Sequence, residues 1–386
     1  MLRKIAFLAI LLVIVAAAAF ILSQRREPAV SASGILGSSP AVGSAGFARA
    51  TGPQPLTFPA DYGPHPDYQT EWWYYTGNLD DADGHHFGYQ FTIFRRAALP
   101  PGQRIDRASD WTADQIYMGH FALTDVAGQN YQAFEHLARG GAGLAGAQAE
   151  PYKVWLEDWQ VEEISPGVTR LQAAAGDVAI DLTLTDLKGP VLHGDHGYSQ
   201  KGPDPGNASY YYSLTRLASE GTVTVGDRAV PVQGLSWQDH EFSTSALAAD
   251  QVGWDWFALQ LDDDSELKVF HIRKDDGSVD PFSAGSFIAP DGTLTPLSHD
   301  DFTITVNDTW RSPRTGAEYP ASWTVTVPSQ GIRLDIEPYL ADQELNVSYS
   351  YWEGAVRFSG EHNGVPVTGD GYVELTGYAG SMQGQF

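Results

Sequence analysis

The chain has 386 residues, 48 Asp and Glu against 23 Lys and Arg, and a formal net charge of −25. That acidity excludes a nucleic-acid-binding surface, which needs basic residues against phosphate, and adsorption of the body onto anionic lipid. No Cys occurs, which excludes disulfides, thiolate catalysis, thiolate metal sites and a lipidated N-terminal Cys.

Arg3 and Lys4 precede an unbroken apolar run of 18 residues from Ile5 to Leu22, and Arg25 and Arg26 follow. A basic start and an apolar middle describe a signal peptide. The same run is long enough to cross a bilayer as a helix. Small residues Ala16 to Ala19 offer a cleavage site, while Arg25 and Arg26 suit an uncleaved anchor. In either case residues 1–26 deliver the body across a membrane, to the periplasm or the cell surface. Residues 27–55 are rich in Ala, Gly, Ser and Pro and read as a flexible tether.

From Phe58 onward strand signals recur at short spacing. They include Glu71 to Leu79, Phe87 to Phe94, Met118 to Thr124, Val178 to Thr185, Tyr210 to Leu217, Trp254 to Leu261, Leu267 to Ile272, Ile332 to Glu337 and Gly371 to Thr376. Apolar and polar residues alternate in many of them. Asp83-Gly84, Asp276-Gly277, Asp291-Gly292 and Asn363-Gly364 supply turns. The best helical candidate is short, Ala246 to Asp250. The pattern predicts an all-β protein of antiparallel barrels or sandwiches after one hydrophobic helix.

An internal repeat divides the body. Trp72-Trp73-Tyr74-Tyr75-Thr76-Gly77-Asn78-Leu79-Asp80-Asp81 resembles Trp254-Asp255-Trp256-Phe257-Ala258-Leu259-Gln260-Leu261-Asp262-Asp263. Val230-Pro231-Val232-Gln233-Gly234-Leu235-Ser236-Trp237-Gln238-Asp239 resembles Val365-Pro366-Val367-Thr368-Gly369-Asp370-Gly371-Tyr372-Val373-Glu374. Two related β domains are expected, 56–245 and 246–386.

Two clusters offer chemistry. In a strand, alternate residues share a face. Glu71, Trp73 and Tyr75 point one way, and Trp72 and Tyr74 the other. Among aromatics inside a lumen the Glu71 carboxyl would be pushed up; the alternative is that Glu71 pairs with an Arg. Trp237, Asp239 and Glu241 share one face, and His240 lies on the other. Asp239 and His240 therefore cannot enter one lumen unless a bulge intervenes. Asp239, His240 and Glu71 are the catalytic candidates. Trp72, Trp73, Tyr75, Trp237, Tyr198, Tyr211, Trp254 and Trp256 are the candidates for contact with a ligand. His193-Gly194-Asp195-His196 and His85-His86 lack metal-ligand spacing and read as loop residues, so no metal is expected. The elbow Gly-x-Ser-x-Gly is absent around Ser236, which weighs against a serine hydrolase.

The run from Phe58 to Leu79, with Lys188-Gly189-Pro190, Gly197-Tyr198-Ser199, Ser209-Tyr210-Tyr211-Tyr212-Ser213 and the run from Gly234 to Phe242, resembles the AttH / hydroxyneurosporene synthase family. The resemblance extends to the C-terminus. It implies two tandem lipocalin-like β-barrels, and kinship with carotenoid 1,2-hydratases, which add water to a double bond without a cofactor. Their Asp-His pair corresponds to Asp239-His240. Their Tyr-x-Asp is missing where this chain reads Lys268-Val269-Phe270-His271-Ile272, which puts carotenoid hydration in doubt and leaves His271 as a substitute acid.

Two functions follow. One is an exported binder of an apolar lipid or isoprenoid, held to the membrane by its N-terminal segment. The other is a cofactor-independent hydratase or isomerase, with a secreted hydrolase third. No protein partner is legible. An enclosed pocket with a buried carboxyl group would favour the enzyme.

Overall fold

A computed structural model describes residues 44–104, 109, 113–244 and 247–382. The hydrophobic run and most of the tether lie outside the described residues. Among the described residues no helix is long and apolar enough to cross a membrane.

The first sheet comprises β1 (Thr70–Asp81), β2 (His86–Ala97), β3 (Gln115–Asp125), β4 (Asn130–Arg139), β5 (Ala145–Gln148), β6 (Lys153–Leu156), β7 (Trp159–Ser165), β8 (Val168–Ala175), β9 (Val178–Asp186), β10 (Pro190–Leu192), β11 (Tyr198–Gln200), β12 (Ala208–Val225) and β13 (Arg228–Ser243). The second comprises β14 (Gln251–Leu261), β15 (Glu266–Lys274), β16 (Ala284–Ile288), β17 (Leu294–Ser298), β18 (Thr303–Arg311), β19 (Glu318–Val327), β20 (Ile332–Pro338), β21 (Glu344–Asn346), β22 (Ser350–His362) and β23 (Val365–Leu375). Their orders are β4-β3-β2-β1-β13-β12-β9-β8-β7-β6-β5 and β17-β16-β15-β14-β23-β22-β20-β19-β18. Both sheets are antiparallel and curl into barrel-like domains, as expected of tandem lipocalin-like barrels. Of the expected helix from Ala246 to Asp250, residues 247–250 are described, and they lead through a turn into β14 without helix.

In each sheet the first strand pairs with the last, β1 with β13 and β14 with β23. Val-Pro-Val opens β23 and stands at the third to fifth residues of β13, just after each hairpin. The register agrees with the repeat: Tyr74 lies opposite Asp239, and Trp256 opposite Glu374.

Strands with one solvated face keep the alternation. Val178, Ile180, Leu182 and Leu184 of β9 point inward, as do Ile332, Leu334 and Ile336 of β20. The strands at the barrel junction do not alternate, because both faces are covered. In β1, residues Trp73 to Leu79 are buried throughout. Three cores result. One fills the first barrel around Trp73, Phe91 and Trp159, and one fills the second around Phe257, Trp323 and Trp352. The third joins Tyr74 and Trp237 of the first barrel to Trp256, Phe270, Ala355 and Tyr372 of the second. Polar contacts cross the same junction. Arg216 Nε donates to Glu266 Oε1 at 2.6 Å, Lys188 Nζ to Glu266 Oε2 at 2.8 Å, and Asn78 Nδ2 to the Gly371 carbonyl at 3.0 Å.

Candidate functional site

The pleat of β1 and β13 sorts the chemistry-bearing residues into two places. On the inner face, Glu71 is wholly buried at one end of the first barrel. Its oxygens accept Arg95 Nε at 2.8 Å and contact His240 Nε2 and His65 Nδ1, each at 2.8 Å. His65 Nε2 reaches Asp61 at 2.9 Å, and Tyr212 hydroxyl meets His240 Nδ1 at 2.7 Å. The expectation that aromatic surroundings push Glu71 up is overturned. Burial does act in that direction, but Arg95 and the two histidines hold the carboxyl well below the usual carboxylate range. Arg95 stands directly opposite Glu71 across β1 and β2, so the Arg pairing is the arrangement found. Burial lowers His240, against its hydrogen bond to Glu71. His65 resists burial through Asp61 and Glu71 and rises to about 9. His65, Glu71 and His240 bring donor atoms within 4.8 Å of one another. With a guanidinium on the same carboxylate, the group reads as an ion-pair network rather than a cation site.

On the outer face, a cavity of about 130 Å³ lies between the barrels. Trp72, Tyr74, Trp254, Trp256 and Phe270 give it aromatic walls, and Asp239, Glu241, Glu374 and Lys201 give it charge. Asp239 Oδ2 accepts Tyr211 hydroxyl at 2.5 Å; Oδ1 accepts Trp237 Nε1 at 2.6 Å and the Ser213 hydroxyl. Burial pushes the Asp239 carboxyl up, against these donors and the nearby Lys268. Glu374 receives Trp254 Nε1 at 2.8 Å. Burial, and then the charges of Asp239 and Glu241, push it up to about 7. Of the three carboxyl groups that line this aromatic cavity, Asp239 is held by several donors and Glu374 is poised to carry a proton near neutral pH.

A family model described as AttH-like matches residues 49–378. The chain belongs to the AttH-like family. A putative AttH from Nitrosomonas europaea has the same fold at 35% identity and a TM-score of 0.78, over 86% of this chain and 99% of that one. Kievitone hydratase from Nectria haematococca superposes with a TM-score of 0.65 at 15% identity, over 87% of this chain and 98% of that one, which shows the shared fold. The dehydratase asqC of Emericella nidulans is 26% identical over 222 residues, 53% of this chain. The match spans 60% of that dehydratase's own length.

In this AttH-like protein, Trp72, Tyr211, Trp254, Trp256 and Asp239 line the inter-barrel cavity. Trp237 stands behind it and orients Asp239. Trp73 and Tyr75 face the first barrel's core instead, and Glu71 and His240 face the ion-pair network. Tyr198 borders a second cavity beside β15 and β16. His193 lies in the loop between β10 and β11, as expected, but it is buried, with Nε2 2.6 Å from Ser213 Oγ and Nδ1 2.9 Å from Ser286 Oγ. His271 is a poor substitute acid, since burial lowers it to about 4 and leaves it neutral at pH 7. Ser236 sits in a hydroxyl cluster with Tyr89 and Ser219, each at 2.7 Å. Glu374 and Lys268 escaped the sequence reading. Glu374 occupies the tenth place of the Val-Pro-Val repeat, the place Asp239 holds in the first copy, and that was the available signal.

Proposed function

We propose that the inter-barrel cavity binds an apolar, unsaturated or hydroxylated small molecule and adds or removes water by acid–base chemistry without a cofactor. The observation that carries this reading is the pair Asp239 and Glu374, set at equivalent places in the two repeats and facing one aromatic-walled cavity. A Glu374 carboxyl poised near 7 is protonated often enough to donate to a double bond or a leaving hydroxyl. Asp239, oriented by Tyr211, Trp237 and Ser213, serves as the base or as the counter-charge to a developing cation. The faces of Trp72, Tyr74, Trp254 and Trp256 would stabilise that cation. The hydratase and dehydratase among its relatives agree with this reaction class.

The reading is tested by incubating the protein with unsaturated and hydroxylated isoprenoids and aromatics in H2 18O and following product masses. Wild type should add 18O to an unsaturated substrate or take the mass of one water from a hydroxylated one, and Glu374→Gln should lose turnover while retaining ligand. A ligand that co-purifies unchanged with wild type, with no product across the panel, would leave a binding protein and remove the enzyme. Delivery across a membrane, read from Arg3, Lys4 and the run from Ile5 to Leu22, belongs to the same proposal. Fractionation of the native host, with the mature N-terminus measured by mass, checks it; recovery of the full chain in the cytosol would refute it.

A further inference from the structure

A second cavity, of about 370 Å³, lies across Phe270 from the first. Phe270 lines both, while His193, Lys268, Phe282 and Ser286 line only the second. Its rim is open to solvent at Pro281 and Pro296.

Lys268 is the unusual member. It is 1% exposed, yet its Nζ makes no hydrogen bond or ion pair among the described residues. The amine instead lies 4.1 Å from the Tyr211 ring centroid and 4.5 Å from that of Phe270. Lys201 Nζ approaches the same two rings, at 5.1 and 4.5 Å, so a second positive charge is close by. Lys188 makes the contrast. It is also buried, but its Nζ donates to Glu266 and to the carbonyls of Asp264 and Ala289. The two ring faces favour the ammonium, but burial without a hydrogen-bonded counter-charge and the neighbouring cation act against it and favour the free amine. Burial and Lys201 together lower Lys268 to about 7, against Asp239 and Glu241. Desolvation beside another cation is a known way of making a lysine nucleophilic.

We propose that Lys268 is an amine nucleophile that captures aldehydes or ketones entering the second cavity, holding them as a Schiff base. The free amine attacks the carbonyl carbon. The C–N bond forms as the C=O π pair moves to oxygen, and a proton passes from nitrogen to that oxygen through water at the rim. The nitrogen lone pair then forms the C=N bond as the C–O bond breaks, the remaining N–H proton passes to the departing oxygen so that it leaves as water, and the imine takes a proton from solvent. No oxidant or reductant is needed. Ser286 and His193, joined at 2.9 Å, place polar atoms in the same chamber for the carbonyl oxygen. Burial, with Lys268 and Lys201 nearby, keeps His193 far below its ordinary value, so it stays neutral beside the amine. The inference concerns the amine alone and stands or falls separately from water addition at Asp239 and Glu374.

The test uses the intact protein at pH 7 with hexanal or benzaldehyde and sodium cyanoborohydride, which reduces the imine to a stable alkylamine. Peptide mass spectrometry then locates the adduct and gives its rate at each lysine. At pH 7 a lysine of ordinary pKa is neutral about 0.04% of the time and one at 7 about half the time, a ratio of roughly 10³. Part of that is lost to the lower nucleophilicity of a weaker base, so Lys268 should react at least about tenfold faster than partly exposed Lys153 and Lys274. Lys201→Gln, which removes the neighbouring charge, should cut the Lys268 rate several-fold. Because the adduct is located in wild type, no folding-sensitive variant at position 268 is required. Labelling of Lys268 no faster than Lys153 or Lys274, or a rate unmoved by Lys201→Gln, would overturn the proposal.

Discussion

Replacing Arg95 by Met gives the sharpest test of the buried network in the first barrel. Arg95 is 1% exposed and Glu71 fully buried. Besides its bond to Glu71, the guanidinium donates to Gln115 Oε1 at 2.7 Å and to the carbonyls of His65 and Tyr68 at 2.9 and 3.0 Å. It thus ties the segment before β1 to β2 and β3. Met fills much of the same volume but takes the guanidinium from the buried carboxylate, which keeps His65 and His240 as its side-chain partners. Removing one partner of a buried pair costs about 3–5 kcal/mol. At roughly 2–4 °C per kcal/mol for a domain of this size, the melting temperature should fall by about 6–20 °C. Differential scanning calorimetry of the intact chain measures it. Arg333→Met, at the exposed Arg333–Asp335 pair of 2.6 Å, serves as the comparison and should cost less than about 1 kcal/mol. The double variant Glu71→Gln/Arg95→Met removes the carboxylate charge as well and should recover at least half of the loss. A fall below about 2 °C for Arg95→Met, or a double variant as unstable as the single one, would show that Glu71 is not held ionised by Arg95.

Stability should also depend on pH through His65. Its folded value, about 9, lies above the ordinary 6.5, so its contribution is complete below pH 6.5 and is lost as pH rises through 9. His65→Gln should flatten that segment of the denaturation profile by on the order of 3 kcal/mol; equal slopes for both proteins would refute the assignment. Glu71 has the opposite sign. Its depressed folded value gives stability that is present above about pH 4.3 and lost in stronger acid. Gly88 meets the second barrel, where an added Cβ would lie 2.4 Å from Ala355 Cβ. Gly88→Ala should cost about 1–3 kcal/mol, and Ala355→Gly in the same chain should restore most of it; urea denaturation tests the pair, and no rescue would mean the barrels do not meet there. Tyr211→Phe removes a donor from Asp239, worth about 1.5–3 kcal/mol to a charged acceptor. The Asp239 carboxyl should rise further, visible as a larger protonated-carboxyl infrared band at pH 7, and an unchanged band would count against the bond.

Much of the architecture was legible in the sequence because period-2 alternation and turn dipeptides are local signals. The Trp-rich and Val-Pro-Val repeats were legible too, and in the fold they occupy the first and last strands of each sheet. What could not be read was the environment supplied by residues distant in the chain. Glu71 and Arg95 are 24 positions apart and meet only because β1 and β2 pair in one particular register. Reading β1 as a half-buried strand was also incomplete. Its outer face is covered by the second barrel, so Trp72 and Tyr74 line a cavity while Trp73 and Tyr75 pack a core. Lys268 carried no motif at all, because its character comes from the lack of a polar partner and not from its neighbours in sequence.

The adjacent pair Asp239-His240 condenses the whole arrangement. No bulge interrupts β13 between these residues, and β1 pairs with them continuously at Tyr74 and Trp73. The pleat therefore sends Asp239 to the inter-barrel cavity and His240 into the first barrel, where it stacks on Trp73 at 4.9 Å and bonds Glu71 and Tyr212. Asp239 is held by Tyr211, Ser213 and Trp237, so the two residues share no hydrogen-bond partner. If they acted as one catalytic dyad, Asp239→Asn and His240→Gln would impair chemistry alike and the double variant would add little. The geometry predicts otherwise. His240→Gln should lower the melting temperature and leave apolar ligand binding intact, whereas Asp239→Asn should remove turnover at little cost to the first barrel. Their stability effects should add within about 0.5 kcal/mol. A coupling above about 1 kcal/mol, or equal loss of turnover in both single variants, would mean that the two faces of β13 work as one site.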